Sequence, residues 1–433
     1  MNPRKLVLTI GILLILTMVA VGYQLSFAYI QTPSATIESG SMVQPASYTI
    51  FRDSSGNIYA RNGTTGEITY SGSNFTVVLQ NVIDDSTVGI TIFLTAGTYD
   101  ITDTITLRNF VSFRGVHNPQ TNDLTLTEES TILNLADDND MFEAIGTNRV
   151  TDRRYGVSFE NIMFDGNSKV YRIIDAKYLD NVYFEDVTFY KAIPAVYAQE
   201  CWDWKFYNVN FIFSGDSSNP AVTVENTDDD NTNHFYFTNC RWEDLTGIGF
   251  YSDSSNADGA NNRFKFVACK FEGHDNNNQT AIAGFFRNSL ITGCSFSTLE
   301  VTGNFAINLN GTNQYNVITN NEFISNSGDI RLGVGVATNN IISANIFRNA
   351  LDTYHISLNG YNNTLVNNQV IGTKTFVNLA GGLGNTIFNN FGYMNFTVAT
   401  RPSATRAGIG SIIFVADSNQ YEASNGTDWI PLT

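Results

Sequence analysis

Three sets of acidic residues mark where this 433-residue chain could do chemistry. Asp228, Asp229 and Asp230 are consecutive, and Asp137, Asp138 and Asp140 form a second set; carboxylates at that density suit Ca²⁺, which takes hard oxygen ligands. Asp175 and Glu225 are different, because they are isolated and distant in sequence. They could act as the acid and base of glycoside hydrolysis only if the fold brought them to about 9–10 Å, near the upper limit for an inverting pair. Tyr197, Tyr251 and Phe285 offer rings that stack on sugars, and Gln199, Asn308 and His355 offer groups that bond hydroxyls. All these roles require distant stretches of chain to share one surface.

A repeat supplies that surface. The pattern apolar-x-Asn-x-x-aromatic recurs as Phe159-Asn161-Phe164, Phe184-Asp186-Phe189, Phe206-Asn208-Phe211, Phe237-Asn239-Trp242, Phe266-Ala268-Phe271 and Ile291-Gly293-Phe296. It continues as Ile318-Asn320-Phe323, Ile342-Ala344-Phe347, Val366-Asn368-Ile371 and Phe388-Asn390-Tyr393, with central positions about 25 residues apart. Between these anchors run short strands such as Ala195–Ala198, Ala221–Val224 and Phe305–Asn308. Each unit is three short strands and no helix. Stacked units pair every strand with its counterpart ~4.8 Å away and align the Phe and Ile positions as buried ladders. The expected fold is therefore an all-β, right-handed parallel β-helix, a three-strand solenoid of about ten rungs. The central Asn suits a tight bend in the left-handed backbone region. Asp175 and Glu225 then fall two rungs apart on one outward face.

Composition agrees. Phe (31), Tyr (20) and Gly (34) are plentiful and Pro (8) is scarce, as many short strands joined by tight turns require. A net charge of −17 excludes a nucleic-acid partner by repulsion. Arg4 and Lys5 precede an apolar run from Leu6 to Ile30, read as a signal peptide or a membrane anchor over residues 1–30; either places the remainder outside the cytoplasm. Seven Asn-x-Ser/Thr sequons, at Asn62, Asn74, Asn278, Asn310, Asn362, Asn395 and Asn425, are compatible with glycosylation there. Cys240, Cys269 and Cys294 occupy one column of the repeat, which predicts stacked buried thiols rather than disulfides or a metal site.

The ends must be covered. Residues 31–72 read as an N-terminal extension, and residues 73–86 as a capping helix with Ser73 as N-cap and one apolar stripe. The solenoid is expected over 73–396 and a small β module over 397–433. The run Ile90–Leu94, Ala96-Gly97-Thr98-Tyr99 and Val111–Gly115 resembles the N-terminal entry of the pectate-lyase-like superfamily. That resemblance covers roughly residues 48–396 and implies three chemistries: Ca²⁺-assisted lyase, polygalacturonase, and epimerase or tailspike activity. A lyase would need a base, for which Arg331 is the well-placed candidate. Asn226-Thr227-Asp228 matches a polygalacturonase fragment, yet it follows a strand instead of leading into one, and the Asp-Asp, Gly-His-Gly and Arg-Ile-Lys signatures are missing. The resemblance also makes the outward face of the first strand in each rung the floor of a cleft. The expected function is a secreted or cell-surface, non-catalytic component for adhesion, glycan binding or fibre assembly. The alternative is a polysaccharide lyase or glycoside hydrolase acting on acidic polysaccharide. By analogy with viral fibres the C-terminal module could form a homotrimer.

Overall fold

The computed structural model describes residues 46–86, 89–116, 129–226, 231–253, 261–273, 279–299, 303–311, 313–372, 374–381, 383–388, 390–392, 403–407, 409, 411–415 and 420–432. Within them the chain is a right-handed parallel β-helix. Its three faces are a sixteen-stranded sheet and two twelve-stranded sheets, all running the length of the solenoid. Each strand pairs in parallel with its counterpart on the next rung; Phe159 faces Phe184 and Phe164 faces Phe189, for example. The ladders of the repeat are stacked rings. Phe164, Phe189, Phe211, Trp242, Phe271, Phe296, Phe323 and Phe347 follow one another at 4.4–5.1 Å between ring centroids. All are buried, so this column supplies both the core and the rung-to-rung register.

The central position of each anchor lies in the left-handed region, as expected: φ is 56° at Asn161, 52° at Asp186, 54° at Asn208, 55° at Asn239 and 55° at Asn320. Ala268 and Ala344 hold φ 54° in the same column. The expected register is wrong by one residue on the last two rungs. Leu365, not Val366, pairs with Ile342, and Asn367 takes the left-handed bend. The misplaced Asn368 and Asn390 have another role, because the residue after each bend points into the interior. Asn345 shows the geometry: its backbone N–H and its Nδ2 both donate to Asn368 Oδ1, at 3.1 and 3.0 Å. Its Nδ2 also donates to the Ile318 carbonyl at 2.9 Å. Asn321, Asn345, Asn368 and Asn390 thus form one ladder, and Asn316, Asn340, Asn363 and Asn385 a second. On earlier rungs the first column holds Cys240, Cys269 and Cys294, which are free and buried as expected, and the Cys294 N–H donates to Asn321 Oδ1 at 2.9 Å.

At the N-terminal end, strands β1 (Tyr48–Arg52), β2 (Ile58–Asn62) and β3 (Ile68–Gly72) form an antiparallel meander. Its β1 pairs in parallel with Ile90–Leu94, the first strand of the sixteen-stranded face's solenoid portion. Helix α1 (Phe75–Asp85) follows, and Phe75, Val78, Leu79, Val82 and Ile83 are buried. Its N-cap is Asn74, not Ser73: Asn74 Oδ1 accepts from the Val77 N–H at 3.3 Å. At the other end Ile412–Val415, Gln420–Ser424 and Trp429–Leu432 make a separate three-stranded antiparallel sheet. It is fastened to the last rung where the Ile387 N–H donates to Ser411 Oγ at 2.9 Å.

Candidate functional site

One twelve-stranded sheet carries the stripe of outward residues. Ile174–Lys177, Val196–Gln199, Val222–Glu225 and Ile248–Ser252 lie on successive rungs, and strand alternation turns Asp175, Tyr197, Thr223 and Tyr251 outward in one column. Two residues along, Lys177, Gln199 and Glu225 form the adjacent column. The segments just before these strands, around Tyr171-Arg172, Pro194 and Ser217–Pro220, rise as a wall. Floor and wall enclose an open groove of about 560 Å³.

The floor is tied together before any ligand arrives. Tyr197 Oη donates to Glu225 Oε2. Gln199 Nε2 donates to the same carboxylate oxygen at 2.9 Å and to Tyr197 Oη at 2.8 Å. The Arg172 guanidinium stacks 3.6 Å from the centre of the Tyr197 ring and pairs with Asp175 Oδ2 at 2.9 Å. The Arg172 backbone N–H donates to Asp140 Oδ1 at 2.7 Å. Burial, and then the hydrogen bond to Glu225, push the Tyr197 hydroxyl far above its ordinary value, so it remains a donor. Burial also raises the Asp175 carboxyl; Arg172 opposes the shift, while Asp140 and Glu143 add to it. Tyr251 is raised by burial and by Asp253 and Glu225.

Asp175 and Glu225 do lie two rungs apart, and they are also offset by two residues along the strand, so their Cα atoms are about 12 Å apart on the diagonal. The Arg172–Tyr197 stack bridges them: Arg172 holds one carboxylate and Tyr197 the other. This is a rigid binding floor, not two carboxylates facing each other across an open gap.

Other candidates lie elsewhere. Arg331 occupies the Asp175 column six rungs further on, about 29 Å away, beside Asn308 and 5.9 Å from the Phe305 ring centre. Asn308 Oδ1 is buried and has no hydrogen-bond partner among the described residues. Ala283, not Phe285, takes the column position after Tyr251. Phe285 lies beyond that strand and is half-buried, its ring packed over Gly311 so closely that a Cβ there would approach it to 1.9 Å. The expectation for His355 is overturned. It points inward and is fully buried, with Nδ1 2.5 Å from Asp329 Oδ2, because Ser357, not His355, pairs with Arg331 and takes the outward position of that column. No glycan in solvent can reach it.

Asp228, Asp229 and Asp230 lie outside the described residues, as do Asn278, Asn395 and the segment Leu6–Ile30. Among the described residues no group of three or more His, Cys, Asp or Glu side chains is arranged to hold a metal ion. No described helix is long and apolar enough to cross a membrane. Asp138 forms an ion pair with Lys169 at 2.7 Å. Of the sequons, Asn74, Asn362 and Asn425 are exposed, whereas Asn62 and Asn310 are half-buried.

Residue patterns had not identified Arg172 or the wall, and had marked Asp140 only as one of three acidic residues suited to Ca²⁺, not as the acceptor that fixes Arg172. A signal was present: Arg172, Pro194 and Pro220 each stand two residues before the first paired position of their strands. A cation and two prolines in that phase mark a built rim.

No family model matches the chain, and no curated protein matches it. Solved structures do. The surface adhesin PfbA of Streptococcus pneumoniae is 14% identical, over 83% of this chain and 96% of that one, with a TM-score of 0.63. ORF18 of Geobacillus virus E2 is 16% identical, over 87% of this chain and 82% of that one, with a TM-score of 0.57. At these identities the likeness is one of fold: the chain is similar to these proteins as a parallel β-helix.

Proposed function

We propose that the chain is displayed outside the cell, where it binds glycan in the groove over Tyr197 without cleaving it. The Tyr197 floor carries this reading. Its ring is locked by Arg172 on one face and by Glu225 and Gln199 at its hydroxyl, so it loses little conformational freedom when a sugar docks. Tyr171 and Tyr251 line the same groove, and aromatic surface edged by carboxylates and amides is what sugar rings and hydroxyls require. The resemblance in fold to a surface adhesin is consistent with display at a surface.

One observation favours a second reading, glycan cleavage. The raised Asp175 carboxyl is what a general acid needs. The bridging Arg172–Tyr197 stack argues against it, and the groove's acids, Asp140 and Glu225, disfavour an acidic polysaccharide as substrate.

A glycan array followed by calorimetric titration tests the proposal. Tyr197→Ala should weaken the best ligand by at least about tenfold, the equivalent of one lost stacking contact of roughly 1.4 kcal/mol. An array with no bound glycan, or an unchanged affinity in the variant, sinks it. Time-dependent shortening of the ligand, abolished by Asp175→Asn, would establish cleavage instead.

A further inference from the structure

The same three-strand unit stands at both ends of the solenoid. Asn62-Gly63-Thr64 and Asn425-Gly426-Thr427 form equivalent turns, each Asn Oδ1 accepting two backbone N–H groups. These come from Thr64 and Thr65 at 2.8 and 3.1 Å, and from Thr427 and Asp428 at 2.9 and 2.7 Å. Two residues before each Asn stands an alanine. Ala60 is paired with Ile50 and Tyr70, and Ala423 with Ile412 and Ile430. The next row is Ile58 beside Gly72 at one end, and Tyr421 beside Leu432 at the other. The two meanders therefore correspond row by row.

They differ in which face is covered. In the N-terminal unit, Ile50, Ile58 and Ala60 are no more than 4% exposed, and helix α1 packs against β2 and β3 on that side, with Val78 against Gly72. The C-terminal unit turns its opposite face to the solenoid. Glu422 and Ser424 are buried there, and Ser424 Oγ donates to the Ala404 carbonyl at 2.9 Å. The face that the helix covers at one end is thus open at the other, where Ile430 and Leu432 are each 47% exposed and Tyr421 is 58% exposed.

We infer that this face, built on Ile412, Ala423, Ile430 and Leu432, is where a second copy of the chain docks, face against identical face. The N-terminal unit shows that the rows of this motif pack against apolar side chains. None of these residues is charged, so the face offers nothing to select a partner of opposite charge. For a chain carrying −17 overall, a second copy can come close only where charge is missing. Pro431 lies in Trp429–Leu432, one of the two edge strands of this sheet, and has no N–H to give, which disfavours joining by strand addition at that edge. The assembly would be held by this one face, so it should be concentration-dependent.

Light scattering on the full chain at roughly 100 µM and roughly 1 µM is the test, since these concentrations bracket a weak, reversible association. The expected result is a mass of at least two chains at the higher concentration, and a single-chain mass for Ile430→Asp/Leu432→Asp with its far-ultraviolet circular dichroism unchanged. In a second measurement, Ile430→Cys should give a covalent dimer on oxidation, since the four native thiols are buried. A wild-type chain that stays single at the higher concentration overturns the inference. So does an assembly that survives the double substitution, or an Ile430→Cys variant that does not cross-link.

Discussion

Asp175 shows how one side chain can respond to pH through its surroundings. Burial raises its carboxyl, so between the ordinary carboxylate value and the raised one the folded chain binds a proton that the unfolded chain has released. The contribution to stability is complete below the ordinary value and is lost as pH rises through the raised one. Asp175→Asn has no such proton to lose. Its melting temperature relative to wild type should therefore climb by a few degrees between pH 4 and pH 7, and a constant difference across that range would show that Arg172 fully offsets the burial. His355 shows the limit of reading single residues. Alternation alone turned it outward, yet it is buried against Asp329, whose other oxygen accepts from Asn326 Nδ2 at 2.9 Å. A buried histidine facing a carboxylate one rung away cannot be recognised until the register of two strands is known. The Asp175 and Tyr197 positions were legible because strong flanking apolar residues fixed their phase. Arg172 was not, because it precedes its strand.

The strands and bends of the solenoid were more legible than its site. A 25-residue pattern is sampled many times, so a wrong assignment on one rung is outvoted by its neighbours, whereas a groove is built once. The exception is informative. On the last two rungs two asparagines stand side by side, Asn367 and Asn368, and pattern alone cannot say which bends the chain and which enters the ladder. Pairing with Ile342 decides it. The bend column also contains residues poorly suited to it. Ala344 holds φ 54° with a Cβ and no side-chain amide to help, a conformation costing about 1 kcal/mol relative to Gly. Ala344→Gly should raise the free energy of unfolding by about 0.5–1 kcal/mol in a denaturant titration, with loss of stability as the contrary result.

Across the whole molecule, stability is a sum over rungs and the contacts between them, so the ends open first. Ser411 holds the C-terminal end: fully buried, it accepts from the Ile387 N–H and donates to the Ala407 carbonyl. Ser411→Ala leaves that N–H without its acceptor, at a cost of about 1–3 kcal/mol. Hydrogen exchange should then speed up on the rungs around Asn363 to Ile387 while Phe164 to Phe211 keep their protection; uniform acceleration would mean that the solenoid opens as one unit.

The paired asparagine ladders also make the length of the molecule a discrete quantity. Each ladder residue hands its donors to an identical residue on the next rung, 23 positions later at Asn340 and Asn363. Excising the 23 residues from Ile341 to Asn363 would bring Asn340 under Asn385 and Asn321 under Asn368, with every amide again matched. Such a chain would be one strand spacing shorter, ~4.8 Å, and otherwise unchanged in pairing. The distance between the two end units can therefore be edited in whole steps, as on a ruler, but not in fractions of one.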